Sequence, residues 1–122
     1  MTISNFLENE LLDTLDGAGS SFFATATYLQ LHLGDPGEDG TGNPAAETTR
    51  KTVAFNAASS GSKTSTATVE WTLVAATETY SHWSLWDAST AGNCLWYGAL
   101  SANAAVTAGD TFEITSLTLT LD

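Results

Sequence analysis

Positive charge is almost missing from this chain. Only Arg50, Lys51 and Lys63 are cationic, against 14 carboxylates in 122 residues, and the net charge at pH 7 is −11. A surface of that sign repels phosphate backbones and anionic headgroups, so neither nucleic acid nor an anionic membrane is an expected partner. Cysteine is nearly absent as well. Cys94 stands alone, which rules out an internal disulfide and leaves a cysteine-built zinc site without support. Its place in an apolar run predicts a buried, unreactive thiol. The apolar runs are short, so none is read as a membrane span. The first residues show no basic stretch leading into an apolar one. That pattern predicts no secretory signal and folding in a cytoplasm.

What remains is enough for one globular domain over residues 1–122. Apolar residues make up 43% of the chain, and a chain of this length buries a core without staples. The acids are scattered along the sequence rather than gathered in a tail. They keep the subunit soluble and suit a basic docking surface.

The pattern of apolar residues predicts a mainly β protein with one short helix at its start. Ser4 or Asn5 can cap a helix over 4–16, with Glu8 placed as in a capping box. Leu7, Leu11, Leu12 and Leu15 share one face of it, Glu8, Glu10, Asp13 and Asp16 the other, and Gly17 and Gly19 end it. From Phe22 the period becomes two. Leu29, Leu31 and Leu33 point one way, and Tyr28, Gln30 and His32 the other. Val53 and Phe55 mark a second strand, and 57–62 supplies a turn. Ala67, Val69, Trp71 and Leu73 form the inward side of a third strand. Strands at 80–86 and 94–100 flank a turn at Ala91-Gly92-Asn93, which predicts a hairpin. In the last strand Phe112 and Ile114 differ in parity from Leu117, Leu119 and Leu121, which predicts a bulge at Thr115 or Ser116. Short strands at regular spacing predict an antiparallel β-sandwich, jelly-roll or immunoglobulin-like. One long connection, from Asp35 to Glu47, interrupts them.

Four groups of residues could carry chemistry. Asp35, Glu38 and Asp39 lie in that connection, but their spacing does not match a calcium loop. Its glycines lack the Gly-Lys-Ser/Thr of a phosphate loop. Pro36, Gly37, Gly40 and Gly42 read instead as turn residues with the acids left wet. His82, Ser84 and Asp87 contain the residue types of a triad, with no nucleophile elbow around the serine. Finally, Trp71, Tyr80, Trp83, Trp86, Trp96 and Tyr97 form an aromatic cluster in which Tyr80 and Trp86 share a parity and Trp83 takes the opposite face with Leu85, so both faces cannot be left to solvent in a monomer. About half are expected in the core, and the others are candidates for an interface or a sugar platform.

Five segments together resemble small structural proteins of tailed bacteriophages. The first is Ser4 to Asp13 (Ser-Asn-Phe-Leu-Glu-Asn-Glu-Leu-Leu-Asp), and the second is Tyr28 to Gly42 (Tyr-Leu-Gln-Leu-His-Leu-Gly-Asp-Pro-Gly-Glu-Asp-Gly-Thr-Gly). Then come Thr49 to Phe55 (Thr-Arg-Lys-Thr-Val-Ala-Phe), His82 to Leu100 and Gly109 to Phe112. The resemblance covers nearly the whole chain. Such proteins include tail-fibre and tail-collar β-sandwich proteins, and similar domains decorate capsids. The resemblance implies a non-enzymatic virion component in many copies, with no cofactor and no catalytic residues. The chain departs from the pattern at 43–49, where a glycine-rich turn would be expected before Arg50.

The resulting expectation is a multi-copy accessory subunit on the particle surface, made in the host cytoplasm. It would decorate or cement the capsid, or attach in a tail fibre or collar. Its partners would be the major capsid protein or tail components, with copies of itself. The expected contact residues are Phe6, Leu7 and Leu11 on the helix, Asp35, Glu38 and Asp39 in the long loop, and Trp83, Trp86 and Trp96. The rival expectation is a carbohydrate-binding module for host glycans, which would need those three tryptophans exposed in a row.

Overall fold

The computed structural model describes residues 1–15 and 24–121. Asp16, Gly17, Gly19 and Phe22, which the sequence places at the end of the helix and the start of the strand pattern, lie outside the described residues. The described chain runs β1 (Thr2–Ile3), α1 (Asn5–Leu15), β2 (Thr27–His32), β3 (Lys51–Val53), β4 (Ser62–Thr64) and β5 (Val69–Trp71). It continues through β6 (Glu78–Trp86), β7 (Cys94–Val106), β8 (Phe112–Ile114) and β9 (Thr118–Thr120). The protein is mainly β, with antiparallel pairing throughout. Five strands form one sheet in the order β1-β7-β6-β2-β3, and β4-β9 and β5-β8 form two ribbons.

Direct cross-strand partners lie on the same side of a sheet, so the register assigns each side chain to a face. On one face Leu29 stands opposite Leu85, Leu31 opposite Trp83, and Leu85 opposite Trp96. These side chains are buried together with Val69, Trp71, Ile114, Leu117 and Leu119 from the ribbon side. Trp71 is the largest fully buried side chain; its indole N–H donates to the Thr49 carbonyl at 2.8 Å, and its ring lies 6.0 Å from that of Phe112.

Tyr80 joins the same cluster as Trp83 and Leu85 although its parity is opposite. The cause is an irregularity. Between His82 and Tyr80 the partner on β7 moves from Ala99 to Ala104, so β7 carries extra residues there. Such a bulge reorients the strand and also blunts a sheet edge against stray pairing. The Tyr80 ring meets Phe112 edge-on at 5.1 Å, and its hydroxyl is buried without a hydrogen-bond partner. Burial pushes that hydroxyl's pKa up to about 12.

Several sequence expectations change here. The parity break after Ile114 is not a bulge. Phe112–Ile114 pairs with β5 while Thr118–Thr120 pairs with β4, so the chain leaves one ribbon and enters the other. The turn expected over 57–62 is shorter, because Ser62 already begins β4. Val69 and Trp71 point inward as expected, but Leu73 is 77% exposed at a φ of 53°. A left-handed residue ends the strand there and turns the side chain out. Leu33 also falls outside its strand and is exposed, because β2 stops at His32. The helix starts as the sequence predicts, one residue after Ser4.

Replacing Trp71 by Ala removes the centre of this cluster and orphans the Thr49 carbonyl. We expect a loss of about 3–5 kcal/mol in urea unfolding monitored by circular dichroism. A loss under about 1 kcal/mol would show that the ribbons do not rest on this ring.

Candidate functional site

The second face of the five-stranded sheet carries Tyr28, Gln30 and His32 of β2, and His82, Ser84 and Trp86 of β6. Tyr28, Gln30 and His82 are half-buried. His32 and Ser84 are fully buried and Trp86 nearly so. The cover is the long connection between β2 and β3. Leu33 N–H donates to the Asn43 carbonyl at 2.8 Å, and Ala45 N–H donates to the Leu31 carbonyl at 3.2 Å. Those two bonds, with a bridge between His32 and Pro44, zip the returning limb of the loop to the end of β2. Pro36 is fully buried beneath it.

Three acids give the loop its shape. The Asp35 carboxylate accepts from Gly37 N–H at 2.9 Å, and that of Asp39 accepts from Thr41 N–H at 3.0 Å and the Thr41 hydroxyl at 2.7 Å. Both are local turns in which a short side chain replaces a backbone acceptor. The Thr41 backbone bond, then its hydroxyl bond, holds the Asp39 carboxyl below the usual range. Glu38 reaches further. One of its oxygens accepts from Asn5 N–H at 2.8 Å and the other from the Tyr97 hydroxyl at 2.9 Å. A carboxylate thus sits at the first turn of α1, where the helix has free N–H groups and a positive end. Ser4 completes the cap: its hydroxyl accepts from Leu7 N–H at 3.3 Å and donates to the Cys94 carbonyl at 2.6 Å. Loop, helix and β7 are therefore tied together by one carboxylate and one hydroxyl.

Below the loop lies a closed polar chain. His32 Nδ1 is 2.8 Å from the Gly42 carbonyl, and Nε2 is 2.7 Å from the Ser84 hydroxyl. A carbonyl only accepts, so Nδ1 carries the proton and Nε2 accepts from Ser84. Trp86 Nε1 donates to the same Ser84 oxygen at 2.7 Å. Every donor in this chain has an acceptor, as a buried polar group requires. Arg50 closes the other side. Its guanidinium stands 3.7 Å from the centroid of a Trp86 ring, its Nε donates to Gln30 at 3.0 Å, and one terminal nitrogen donates to the carbonyls of Ala88 and Ala91 at 2.9 and 2.6 Å. Gly40 packs so close to Trp86 that a Cβ there would lie 2.6 Å from the ring, and its φ of 72° favours glycine independently.

The residues singled out in the sequence sort clearly against this geometry. Ser84 meets His32 rather than His82, whose ring bonds to Ser81 at 2.8 Å. Asp87 accepts from Asn93 through both its oxygens, at 2.7 and 2.9 Å, and so holds the hairpin turn. The three triad candidates are thus dispersed. The His32–Ser84 pair has the spacing of a base and a nucleophile. It lies at zero exposure beneath the loop, with the serine oxygen already bonded by Trp86, so no substrate reaches it. Cys94 is buried under Gly40, and burial pushes its thiol up to about 11.

The sugar-platform expectation, which needs Trp83, Trp86 and Trp96 exposed in a row, is not met, and none of the three offers a freely exposed ring. Their exposures are 3%, 5% and 8%, because Trp83 and Trp96 fill the ribbon-side core and Trp86 lies under the loop and Arg50. No exposed tryptophan row exists among them. Asp35, Glu38 and Asp39 are exposed, and Phe6 and Leu7 are half-buried. Phe6 lines a shallow cleft with Glu38, Asp39 and Asn93, while Leu11 is 44% exposed. The sequence did not reveal the His32–Ser84–Trp86 chain or the Arg50–Trp86 stack. No local signal marks either one beyond the scarcity of cations, of which Arg50 is one of three.

A family model described as Podophage GP4 fiber I protein gp80 matches residues 2–122. No curated protein matches the chain.

Burial holds the His32 imidazole below its usual pKa. The folded state therefore favours the neutral ring, and His32 contributes stability that is complete above the unfolded value of about 6.5. That contribution is lost as pH falls from there through the folded pKa. Protonation places a hydrogen on Nε2, so Ser84 can no longer donate to the ring and its buried hydroxyl hydrogen loses that acceptor. Urea unfolding free energy should thus decline as pH falls below about 6.5, and His32→Gln should be less stable at pH 7 but lack that slope. A slope unchanged by the substitution would remove His32 as its source.

Proposed function

The chain belongs to the podophage GP4 fiber I protein gp80 family, and we propose that it is a structural subunit, present in several copies, of a fibre on a podophage tail. As a phage fibre protein it is a component of the virion. The observation that carries the structural reading is the family match over 2–122. The buried His32–Ser84 pair supports it, because the arrangement nearest to a reactive centre is spent on holding a loop to a sheet. Capsid decoration or cementing, expected from the sequence as an equal option, is set aside because the matched family is one of fibre proteins.

We further propose a single domain in which the two ribbons cover one face of the sheet as the second layer of a β-sandwich. The shared cluster of Trp71, Ile114 and Leu119 with Leu29, Leu85 and Trp96 supports this. Contacts with tail components would use exposed surface rather than the buried tryptophans. The acidic loop, with Asp35 and Asp39 at its surface, and the helix with its exposed leucines are the two such surfaces. A glycan-binding reading loses its basis with the exposed ring row.

Gold-labelled antibody against the protein, imaged on intact particles, tests the placement. Label at the tail is expected. Label spread over the capsid lattice would overturn it.

A further inference from the structure

The helix α1 has no buried residue along its 11 positions, although it carries four leucines. Leu7, Leu11 and Leu15 follow helical i, i+4 spacing, with Leu12 beside them. Leu7 is half-buried and packs against the core, but exposure then rises outward along the helix, to 44% at Leu11, 65% at Leu12 and 83% at Leu15. Leu7 and Leu11 also form one wall of an apolar groove of about 390 Å³. Phe55, Leu95, Trp96 and Leu119 form much of the rest. The exposed Leu121 stands at its edge. An apolar groove and an apolar helix face thus adjoin on one side of the molecule, and a continuous patch of this kind marks an interface.

The charges at this place narrow the choice of occupant. Among the described residues Lys63 is the one charged residue lining the groove, and its Nζ stands 5.9 Å from the Phe55 ring centroid. It is one of three cations in a chain of net charge −11. The groove therefore fits an apolar segment flanked by an acid. The helix α1 has that chemistry: Glu8 is exposed and lies four residues before Leu12, so it adjoins the leucine face rather than standing opposite it as the sequence pattern suggests, and α1 carries no basic residue in its last turn.

We propose that the groove is the docking site for the α1 helix of a second copy of this chain, whose Leu12 and Leu15 enter it while its Glu8 pairs with Lys63. Each copy presents both halves of the contact, so the interaction can close on itself or pass around a ring. This deepens the proposed fibre role by naming the surface through which copies meet. It rests on that reading only for its biological setting, since the contact is a property of the isolated protein.

The test is light scattering and sedimentation of the full chain up to about 100 μM. Near physiological salt, repulsion between the acidic copies is screened beyond about 8 Å. Association is expected. Leu12→Glu and Leu15→Glu alter side chains that are mostly in solvent, so circular dichroism should show an intact fold. Each should weaken association on the order of tenfold to a hundredfold. Lys63→Glu should weaken it too, and adding Glu8→Lys to that variant should restore it. A monomer over the whole range would overturn the proposal, as would association unaffected by the leucine substitutions. So would a groove that captures only a different virion protein. None of these results would move the protein from a fibre, whereas capsid labelling of particles would do that and leave this contact standing.

Discussion

A sheet that buries side chains on both faces needs two covers, and this constraint shapes the rest of the molecule. In the proposed sandwich the ribbons β4-β9 and β5-β8 cover the face bearing Leu29, Leu85 and Trp96, with which Trp71, Ile114 and Leu119 share a buried cluster. The other face bears Trp86, His32 and Ser84, and here the cover is an irregular loop. A loop brings polar backbone with it, and buried polar backbone must be bonded. The side chains beneath supply what is needed: His32 donates to the Gly42 carbonyl, and Ser84 joins His32 to Trp86.

The scarce charges follow from the same demand. Arg50 is placed where one cation meets the Trp86 ring, Gln30 and two carbonyls of the 87–93 turn at once. Asp35 and Asp39 are spent on their own turns, and Glu38 on the helix and Tyr97. The loop is thereby fixed to α1, and α1 is held with its leucines outward beside the groove. An apolar face held in place loses less conformational freedom on binding than one on a mobile segment, which favours the proposed contact between copies.

Much of the local structure is legible in the sequence. Period two over Tyr28 to His32 and around Val69 to Trp71, the cap at Ser4 and the turn before Asn93 follow from side-chain chemistry that acts over a few residues. The long-range pairings do not. Nothing local says that Ser84 faces His32 rather than His82, because that depends on the register of β2 against β6. Nothing local shows that Ile114 and Leu119 belong to different ribbons, although the parity change between them is visible. The tryptophans mislead for a related reason. Alternation shows that rings fall on both sheet faces, but not that the cover over Trp86 is a loop of the same chain rather than a partner. The acids of that loop resemble a ligand set in one dimension. In three dimensions each accepts a backbone N–H.

The central claim is that the loop over 33–45 is part of the folded core rather than a surface appendage. Native-state amide hydrogen exchange tests it most directly, because Leu33, Gly42 and Ala45 each donate within the loop or to β2. The account predicts that these three amides exchange as slowly as those of Trp83 to Trp86 in β6, since opening the loop would expose the Trp86 face. Rapid exchange at the three positions, with β6 still protected, would contradict it.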